Sequence, residues 1–242
     1  MTPTAFAHLP ELAGKIVPAV QSTFRVTMET MAEWDEIMRK MGRPPGWRLS
    51  HEAREGTRRA VLTDWPAAED LWVFAYGSLM WDPGFHFEEV RRAEIDGYRR
   101  SFCMRVLEGR GSDERPAMML ALDQGGDCAG LAFRIAAGLV QQETEIIWRR
   151  EMIMGHYRPL LVGAATPQGE VTALAFVMNH NHYAYAPGIP LDEIARTIVT
   201  GEGVFGTNRE YLDNLRAQFG EIGIDDELMQ AIGAEVAALS GN

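Results

Sequence analysis

Residues 71–81 read LWVFAYGSLMW, and this stretch decides how the rest of the chain is interpreted. Its apolar first half has the length of a buried β-strand and ends at the pair Gly77-Ser78. Glycine permits a tight bend there, and the N–H groups that follow can converge on an anion or a carbonyl oxygen. A serine nucleophile is not expected, because no glycine stands two residues after Ser78 and no helix start is evident. The stretch predicts a strand followed by a turn, with Ser78 as a hydrogen-bond donor within the turn or toward a ligand.

Short strands and turns continue after this stretch, with helices between and behind them. The predicted strands cover residues 71–76, 94–106, 117–122, 128–135, 160–165 and 171–178. Hairpin turns are predicted at Gly125-Gly126-Asp127 and at Thr166–Gly169, which favours antiparallel pairing. The predicted helices cover about 140–154, 191–199, 208–219 and 225–239, the third opened by a capping box at Thr207. The pattern predicts an α+β fold built on a small barrel or strongly curled sheet of six strands.

The first 70 residues carry helical signals instead. Apolar residues recur at roughly helical spacing over 22–41, Ser50 can cap a helix that runs through Arg58, and the glycine-proline segment 42–46 separates the two. We therefore predict that residues 1–70 form an N-terminal helical extension packing on a main domain of residues 71–242. Covering one face of that domain is the simplest role for the extension, and a regulatory or oligomerising role is the alternative.

The composition is that of an acidic globular protein. Among 242 residues, 23 Lys and Arg stand against 34 Asp and Glu, giving a formal net charge of −11. This charge argues against duplex nucleic acid or an anionic membrane surface as a partner. We expect no membrane span and no secretory signal. The two cysteines, Cys103 and Cys128, fit buried, inert thiols of a reduced cytoplasmic protein. An oligomeric state does not follow from the sequence.

Glu151 is the strongest candidate for chemistry. Five residues of the predicted helix 140–154 share one face: Val140, Thr144, Ile147, Glu151 and Met154. Because that face is otherwise apolar, the Glu151 carboxyl needs a neutralising cation or a raised pKa. A salt bridge to Arg149, Arg150 or Arg158 is the structural alternative. The functional alternative is a general base or acid that transfers protons near neutral pH.

Two further patterns are weaker. His180 and His182 would share a face of a strand, but no third ligand has a recognisable spacing, so no metal site is predicted. The glycine-rich segment 201–206 lacks the lysine of a phosphate-binding loop. It is interpreted as a close approach of the backbone that positions Tyr211.

Several strings occur together in one order: VFAYGSLMW from residue 73, GYRRSF at 97–102, RG at 110–111, WRREM at 148–152, GHY at 155–157 and GTNREYL at 206–212. The set resembles the ChaC-type γ-glutamylcyclotransferases, in their glutathione-specific branch. The resemblance covers roughly residues 44–225. It departs from the family at Ala75 and Ala117, where glycine is frequent, and the extension 1–43 is the least matched part.

The resemblance implies a mixed barrel of about six strands with peripheral helices, and a lyase that needs no cofactor. Such enzymes release 5-oxoproline from a γ-glutamyl compound, here glutathione, which also yields Cys-Gly. Carried over by motif, the catalytic glutamate is Glu151. The implied substrate-binding residues are Tyr76, Gly77, Ser78, Leu79, Tyr157 and Tyr211. Arg110 is expected to attract the anionic substrate despite the negative net charge.

The chemistry requires a base and then an acid. The α-amine of the γ-glutamyl group must lose a proton before it attacks the γ-carbonyl carbon, and the departing nitrogen must gain one; a single carboxyl can do both. The turn at Gly77-Ser78-Leu79 would bind either the substrate α-carboxylate or the oxyanion. Three alternatives remain at this point: cyclotransfer on other γ-glutamyl peptides or amines, a non-catalytic regulator linked to cation transport, and simple sequestration of a γ-glutamyl compound.

Overall fold

Strand β1 (Leu71–Ala75) lies in the middle of a five-stranded mixed sheet, and all of its residues are buried. The structure is a computed structural model and describes residues 3–241. The other strands are β2 (Glu89–Val106), β3 (Ala117–Ile135), β4 (Tyr157–Ala164) and β5 (Val171–Met178), in the order β2-β3-β1-β5-β4. Strand β1 pairs antiparallel with β3 and parallel with β5. The apolar run of residues 71–75 is what a strand covered on both faces requires.

Six α-helices accompany the sheet in the described part of the chain: α1 (Met28–Lys40), α2 (His51–Leu62), α3 (Val140–Glu151), α4 (Leu191–Thr200), α5 (Asn208–Ile222) and α6 (Glu227–Ser240). Two short strands, β6 (Glu202–Gly203) and β7 (Gly206–Thr207), pair with each other just before α5. Ser50 caps α2 through the N–H of Ala53, as the sequence predicts. None of these helices has both the length and the apolar composition needed to cross a bilayer.

The α+β prediction is confirmed, and one detail of it is wrong. Residues 125–127 do not form a hairpin turn, because β3 continues through them as one strand of 19 residues. Gly125 and Gly126 have φ values of +95° and +72°, so they absorb a local bend without ending the strand. Two predicted strands therefore merge into one, and the main sheet has five strands where six were predicted. The turn at Thr166–Gly169 is present, with reciprocal backbone hydrogen bonds between its first and last residues.

The chain divides into two compact units. Unit 1 consists of the residues up to Asp96 together with Ala129–Val177, and unit 2 of Gly97–Cys128 together with the residues from Met178 onward. The N-terminal segment belongs to the core of unit 1, where Leu12 and Ile16 are buried and the ring of Phe6 meets that of Phe87 at 6.0 Å. The division of the chain at residue 70 stays a prediction.

Helices α2 and α3 pack together within unit 1. The buried Arg58 of α2 binds Glu55 of its own helix and donates a hydrogen bond to the Thr144 hydroxyl of α3. One turn further along α3, the Trp148 indole donates to the hydroxyl of Thr57, the neighbour of Arg58 on α2, at 3.0 Å. Since α3 ends at Glu151, these contacts fix the helix that carries the candidate catalytic carboxyl.

Candidate functional site

The turn after β1 is held by its own backbone. The N–H of Met80 donates to the carbonyl of Gly77 at 2.9 Å, and the N–H of Asp82 donates to the carbonyl of Ser78 at 3.1 Å. Residues Ser78–Met80 form a single 3-10 turn in which Leu79 is buried and Ser78 is half-buried. The N–H groups of Met80 and Asp82 are thus used inside the turn, and ligand binding by Gly77, Ser78 and Leu79 stays a prediction.

Tyr76 lies at the end of β1 and is 7% exposed. Its hydroxyl donates a hydrogen bond to the carbonyl of Phe176 on β5 at 3.1 Å. This bond fastens the end of β1 to its parallel neighbour, immediately before the turn. A structural role of Tyr76 is therefore evident, and its role in substrate binding stays a prediction.

Glu151 is the last residue of α3, and its side chain is 13% exposed. The carboxylate oxygen Oε1 lies 3.0 Å from Nε of Arg150. Burial raises the pKa of the Glu151 carboxyl above its ordinary value, and the Arg150 guanidinium partly opposes this increase. The helix C-terminus also disfavours a negative charge, which acts in the same direction as burial. Both alternatives drawn from the sequence are thus present together: a salt bridge and a raised pKa.

Arg150 connects the carboxyl to the turn. Its Nη2 donates a hydrogen bond to the Ser78 hydroxyl at 2.9 Å, and its Nη1 donates to the carbonyl of Asp82 at 2.6 Å. Since Nε lies next to the Glu151 carboxylate, the guanidinium contacts three groups: a hydroxyl, a backbone carbonyl and a carboxylate. The guanidinium of Arg150 therefore connects Ser78 with Glu151. The sequence predicts Arg150 as one of three possible salt-bridge partners of Glu151, with Arg149 and Arg158, and it does not predict the link to Ser78.

Tyr157 is the first residue of β4 and is half-buried. It follows Glu151 by six residues, across the short connection between α3 and β4. That connection is held by the hydrogen bond from the N–H of Leu49 to the carbonyl of Ile153 at 2.8 Å. Tyr157 is thus the first residue of the strand that follows Glu151 in the chain, and both residues belong to unit 1.

Arg110 and Tyr211 belong to unit 2. Nη1 of Arg110 donates to the carbonyl of Thr207 at 3.3 Å and to the carboxylate of Glu210 at 3.2 Å. The Tyr211 hydroxyl accepts a hydrogen bond from the N–H of Leu120 at 3.3 Å. Both residues therefore border the first turn of α5. The charge of Arg110 is offset by Glu210, so its role in attracting an anion stays a prediction.

The GTNREYL string is explained by the start of α5. Thr207 and Glu210 form the predicted capping box, each side chain accepting from the other residue's N–H. Asn208 is fully buried, and its side chain accepts from the N–H of Met118 at 2.7 Å and donates to the Met118 carbonyl at 2.9 Å. This residue, which the sequence analysis passed over, anchors the helix start to β3 and thereby positions Tyr211.

The remaining candidates have ordinary partners. His180 lies 2.6 Å from the buried carboxylate of Asp123 and stacks on the ring of Tyr185. Within residues 3–241, no cluster of His, Cys, Asp and Glu is suited to hold a metal ion. Cys103 and Cys128 are both buried, as predicted, and burial raises the pKa of the Cys103 thiol to about 12.

Comparison with known proteins gives consistent matches. The family described as "ChaC-like protein" matches residues 71–239. A glutathione-specific γ-glutamylcyclotransferase of Escherichia coli (strain K12) is 36% identical over 179 residues, which cover 74% of this chain and 78% of that protein. γ-Glutamylcyclotransferase 2-1 of Arabidopsis thaliana is 32% identical over 176 residues, covering 69% and 82% respectively.

A solved structure supports the fold independently. The crystal structure of a γ-glutamyl cyclotransferase specific to glutathione from yeast matches with a TM-score of 0.63, over 71% of this chain and 99% of that one. The identity in this comparison is 18%, so the similarity is one of fold. The match with the family begins at the first residue of β1 and ends within α6.

Proposed function

Since this chain belongs to the ChaC-like family, we propose that it is a γ-glutamylcyclotransferase that cleaves glutathione to 5-oxoproline and Cys-Gly. The proposal is supported by the relatives that carry this activity in their names, of which the chain covers more than two thirds. The observation that carries the mechanism is that Arg150 binds both the Ser78 hydroxyl and the carboxylate of Glu151, whose side chain is mostly buried. We place the protein in the reduced cytoplasm, in keeping with two buried cysteines that are thiols and not a disulfide.

In the proposed reaction, Glu151 takes a proton from the substrate α-ammonium group. The freed nitrogen attacks the γ-carbonyl carbon of the same residue and closes a five-membered ring. The bond from the γ-carbon to the cysteine nitrogen then breaks, and that nitrogen takes the proton back from Glu151. The ring nitrogen gives up its second proton at the same stage, and the released amine of Cys-Gly takes up one proton in exchange. No water is consumed, and the carboxyl returns to its starting state. The raised pKa of Glu151 suits this double role, because a strongly acidic carboxyl would be too weak a base to take the proton from the α-ammonium group.

Orientation supplies much of the proposed rate enhancement. The α-amine and the γ-carbonyl belong to one flexible residue, and effective molarities on the order of 10⁵ M or more are reached when such groups are held together. The N–H groups of Gly77, Ser78 and Leu79 would hold an anionic oxygen of the substrate, either the α-carboxylate or the oxyanion. Arg150 adds a positive charge next to that turn, which is needed in a chain of net charge −11.

The test compares three substrates with the purified chain. We expect 5-oxoproline release from reduced glutathione to exceed that from γ-glutamyl-alanine and from a γ-glutamyl-lysine isopeptide. The amounts of 5-oxoproline and Cys-Gly should be equal, because one γ-glutamyl bond gives one of each. A clear preference for γ-glutamyl-alanine or the isopeptide would instead assign the chain to another γ-glutamyl substrate. Absence of 5-oxoproline from all three would contradict the proposed function.

A further inference from the structure

Residues 17–25, here called the strap, precede the family match and lie against the turn after β1. The N–H of Val17 donates to the carbonyl of Trp81 at 2.7 Å. The Ser22 hydroxyl donates to the carboxylate of Asp82, whose own carbonyl accepts from Arg150. The strap therefore reaches Arg150 indirectly, through a residue that binds both.

Phe24 contacts Arg150 directly. The guanidinium carbon of Arg150 lies 4.8 Å from the centre of the Phe24 ring. Phe24 is 45% exposed, whereas the Arg150 side chain is only 9% exposed, so Phe24 is one of the residues that cover this cation. A cation over an aromatic face is attracted to it, the more so when water is excluded. Phe24 thus restricts where the guanidinium can lie.

Arg25 anchors the strap next to Phe24. Its Nη1 donates to the carbonyl of Gly84 at 3.1 Å, and its guanidinium makes two hydrogen bonds to Glu143, which is fully buried at the start of α3. The backbone approaches closely here as well: a Cβ on Gly84 would lie 2.8 Å from the Phe24 carbonyl oxygen, and Gly84 has a φ of +71°. The position of Phe24 is therefore fixed from both sides.

We propose that two residues of the strap, Phe24 and Ser22, are positioning residues for the substrate site of this protein and hold Arg150 between Ser78 and Glu151. This inference rests on the proposed function. It assigns a role to residues that lie outside the family match, and it makes the geometry of the carboxyl and the turn depend on them. A guanidinium released from Phe24 would remain paired with Glu151 for less of the time and would support the Ser78 turn less well.

The test is a series at residue 24, measured as 5-oxoproline release from glutathione. Phe24→Ala should lower kcat/KM by about fivefold to twentyfold, because one support of Arg150 is lost. Phe24→Tyr, which keeps the aromatic face, should stay within about twofold of the wild-type value. Phe24→Leu keeps an apolar side chain but has no aromatic face, so its kcat/KM should be lowered about as much as that of Phe24→Ala. Val20→Ala is the matched control, since Val20 lies in the same strap and is 78% exposed.

A value of kcat/KM for Phe24→Ala within about twofold of wild type would overturn the proposal. A loss shared equally by Phe24→Tyr and Phe24→Ala would also overturn it, since the aromatic face would then be irrelevant. Thermal unfolding of each variant shows whether the fold is kept at the assay temperature. Where Phe24→Ala is not folded there, the comparison of Phe24→Leu with Phe24→Tyr decides in the same way.

A second measurement does not depend on activity. Urea unfolding of the wild type, Phe24→Ala, Arg150→Met and the double variant gives the coupling between the ring and the guanidinium. We expect the loss of unfolding free energy caused by Phe24→Ala to be at least halved in the Arg150→Met background. Equal losses of unfolding free energy in the wild-type and Arg150→Met backgrounds would contradict an interaction between Phe24 and Arg150. A wild-type chain that releases no 5-oxoproline would refute the proposed function alone, and the coupling would still decide whether the strap positions Arg150.

Discussion

Arg150 donates a hydrogen bond to the hydroxyl of Ser78 at 2.9 Å, across 72 residues of the chain. The bond joins the C-terminal end of α3 to the turn that follows β1. Since the same guanidinium lies 3.0 Å from the carboxylate of Glu151, the proposed base and the proposed substrate turn share one support. A shared support of this kind keeps reacting groups in a fixed geometry, which is a large part of catalysis by orientation.

Removal of that support should reduce activity and change its pH dependence. Arg150→Gln is expected to lower kcat/KM by about a hundredfold or more. The variant also removes the cation that lowers the pKa of Glu151, so that pKa should rise further and the acid limb of kcat/KM against pH should move to higher pH. Arg149→Gln is the matched control, because Arg149 pairs with Glu145 on the same helix. Equal effects of the two variants would contradict the role of Arg150.

Glu151→Gln should change how stability depends on pH. A carboxyl whose pKa is higher in the folded than in the unfolded protein binds its proton more tightly when folded, so the wild type loses stability as pH rises from the unfolded to the folded pKa. Each unit of that difference corresponds to about 1.4 kcal/mol. The unfolding free energy of Glu151→Gln minus that of the wild type should therefore increase with pH over this window and then level off. Urea unfolding at a series of pH values measures it, and a constant or decreasing difference would show that the Glu151 pKa is not raised.

Tyr211→Phe tests the tyrosine of unit 2. The hydroxyl accepts a hydrogen bond from the N–H of Leu120, and we propose that it also binds substrate. Loss of one hydrogen bond to the substrate should lower kcat/KM by about tenfold to a hundredfold, clearly less than loss of Glu151. Steady-state kinetics with glutathione measures the effect. A loss below about a factor of two would remove Tyr211 from the site and leave it a structural residue.

Asn208→Ala should destabilise unit 2. The fully buried side chain makes two hydrogen bonds to the backbone of Met118, which the alanine leaves without their partner. The expected loss is about 2–4 kcal/mol in the free energy of unfolding. Asp213→Ala on the exposed side of α5, where Asp213 pairs with Arg209, should cost well under 1 kcal/mol, as is common for surface pairs (about 0–1 kcal/mol). Similar losses in urea unfolding for the two variants would contradict the anchoring role of Asn208.

Local sequence patterns predicted most of the elements, because caps and periodicity are local properties. Ser50 and Thr207 start helices where their side chains can accept from the following N–H groups. The error at Gly125-Gly126 has a physical cause: paired glycines permit either a hairpin or a bend within a strand, and the pairing partners of the strand decide between them. Those partners are distant in sequence, so the local pattern could not choose.

The candidate site was predictable to a lesser extent. A carboxyl in an apolar helical stripe identified Glu151, because burial of a charge is costly wherever the helix lies. Arg150 and the strap were not identifiable in this way, since their role depends on contacts with Ser78 and with Phe24 that join remote parts of the chain. Asn208 gave only the signal of a polar residue at a helix start, which is common on exposed helices as well.

The central claim, that Glu151 transfers the proton in cyclisation, is tested most directly by 5-oxoproline release from glutathione by Glu151→Gln. Glutamine keeps the size of the side chain but cannot accept the proton, so we expect turnover to fall by about a thousandfold or more. Binding of 5-oxoproline, measured by calorimetry, should persist, as should cooperative unfolding. A folded variant that retains more than about a tenth of the wild-type rate would contradict the claim.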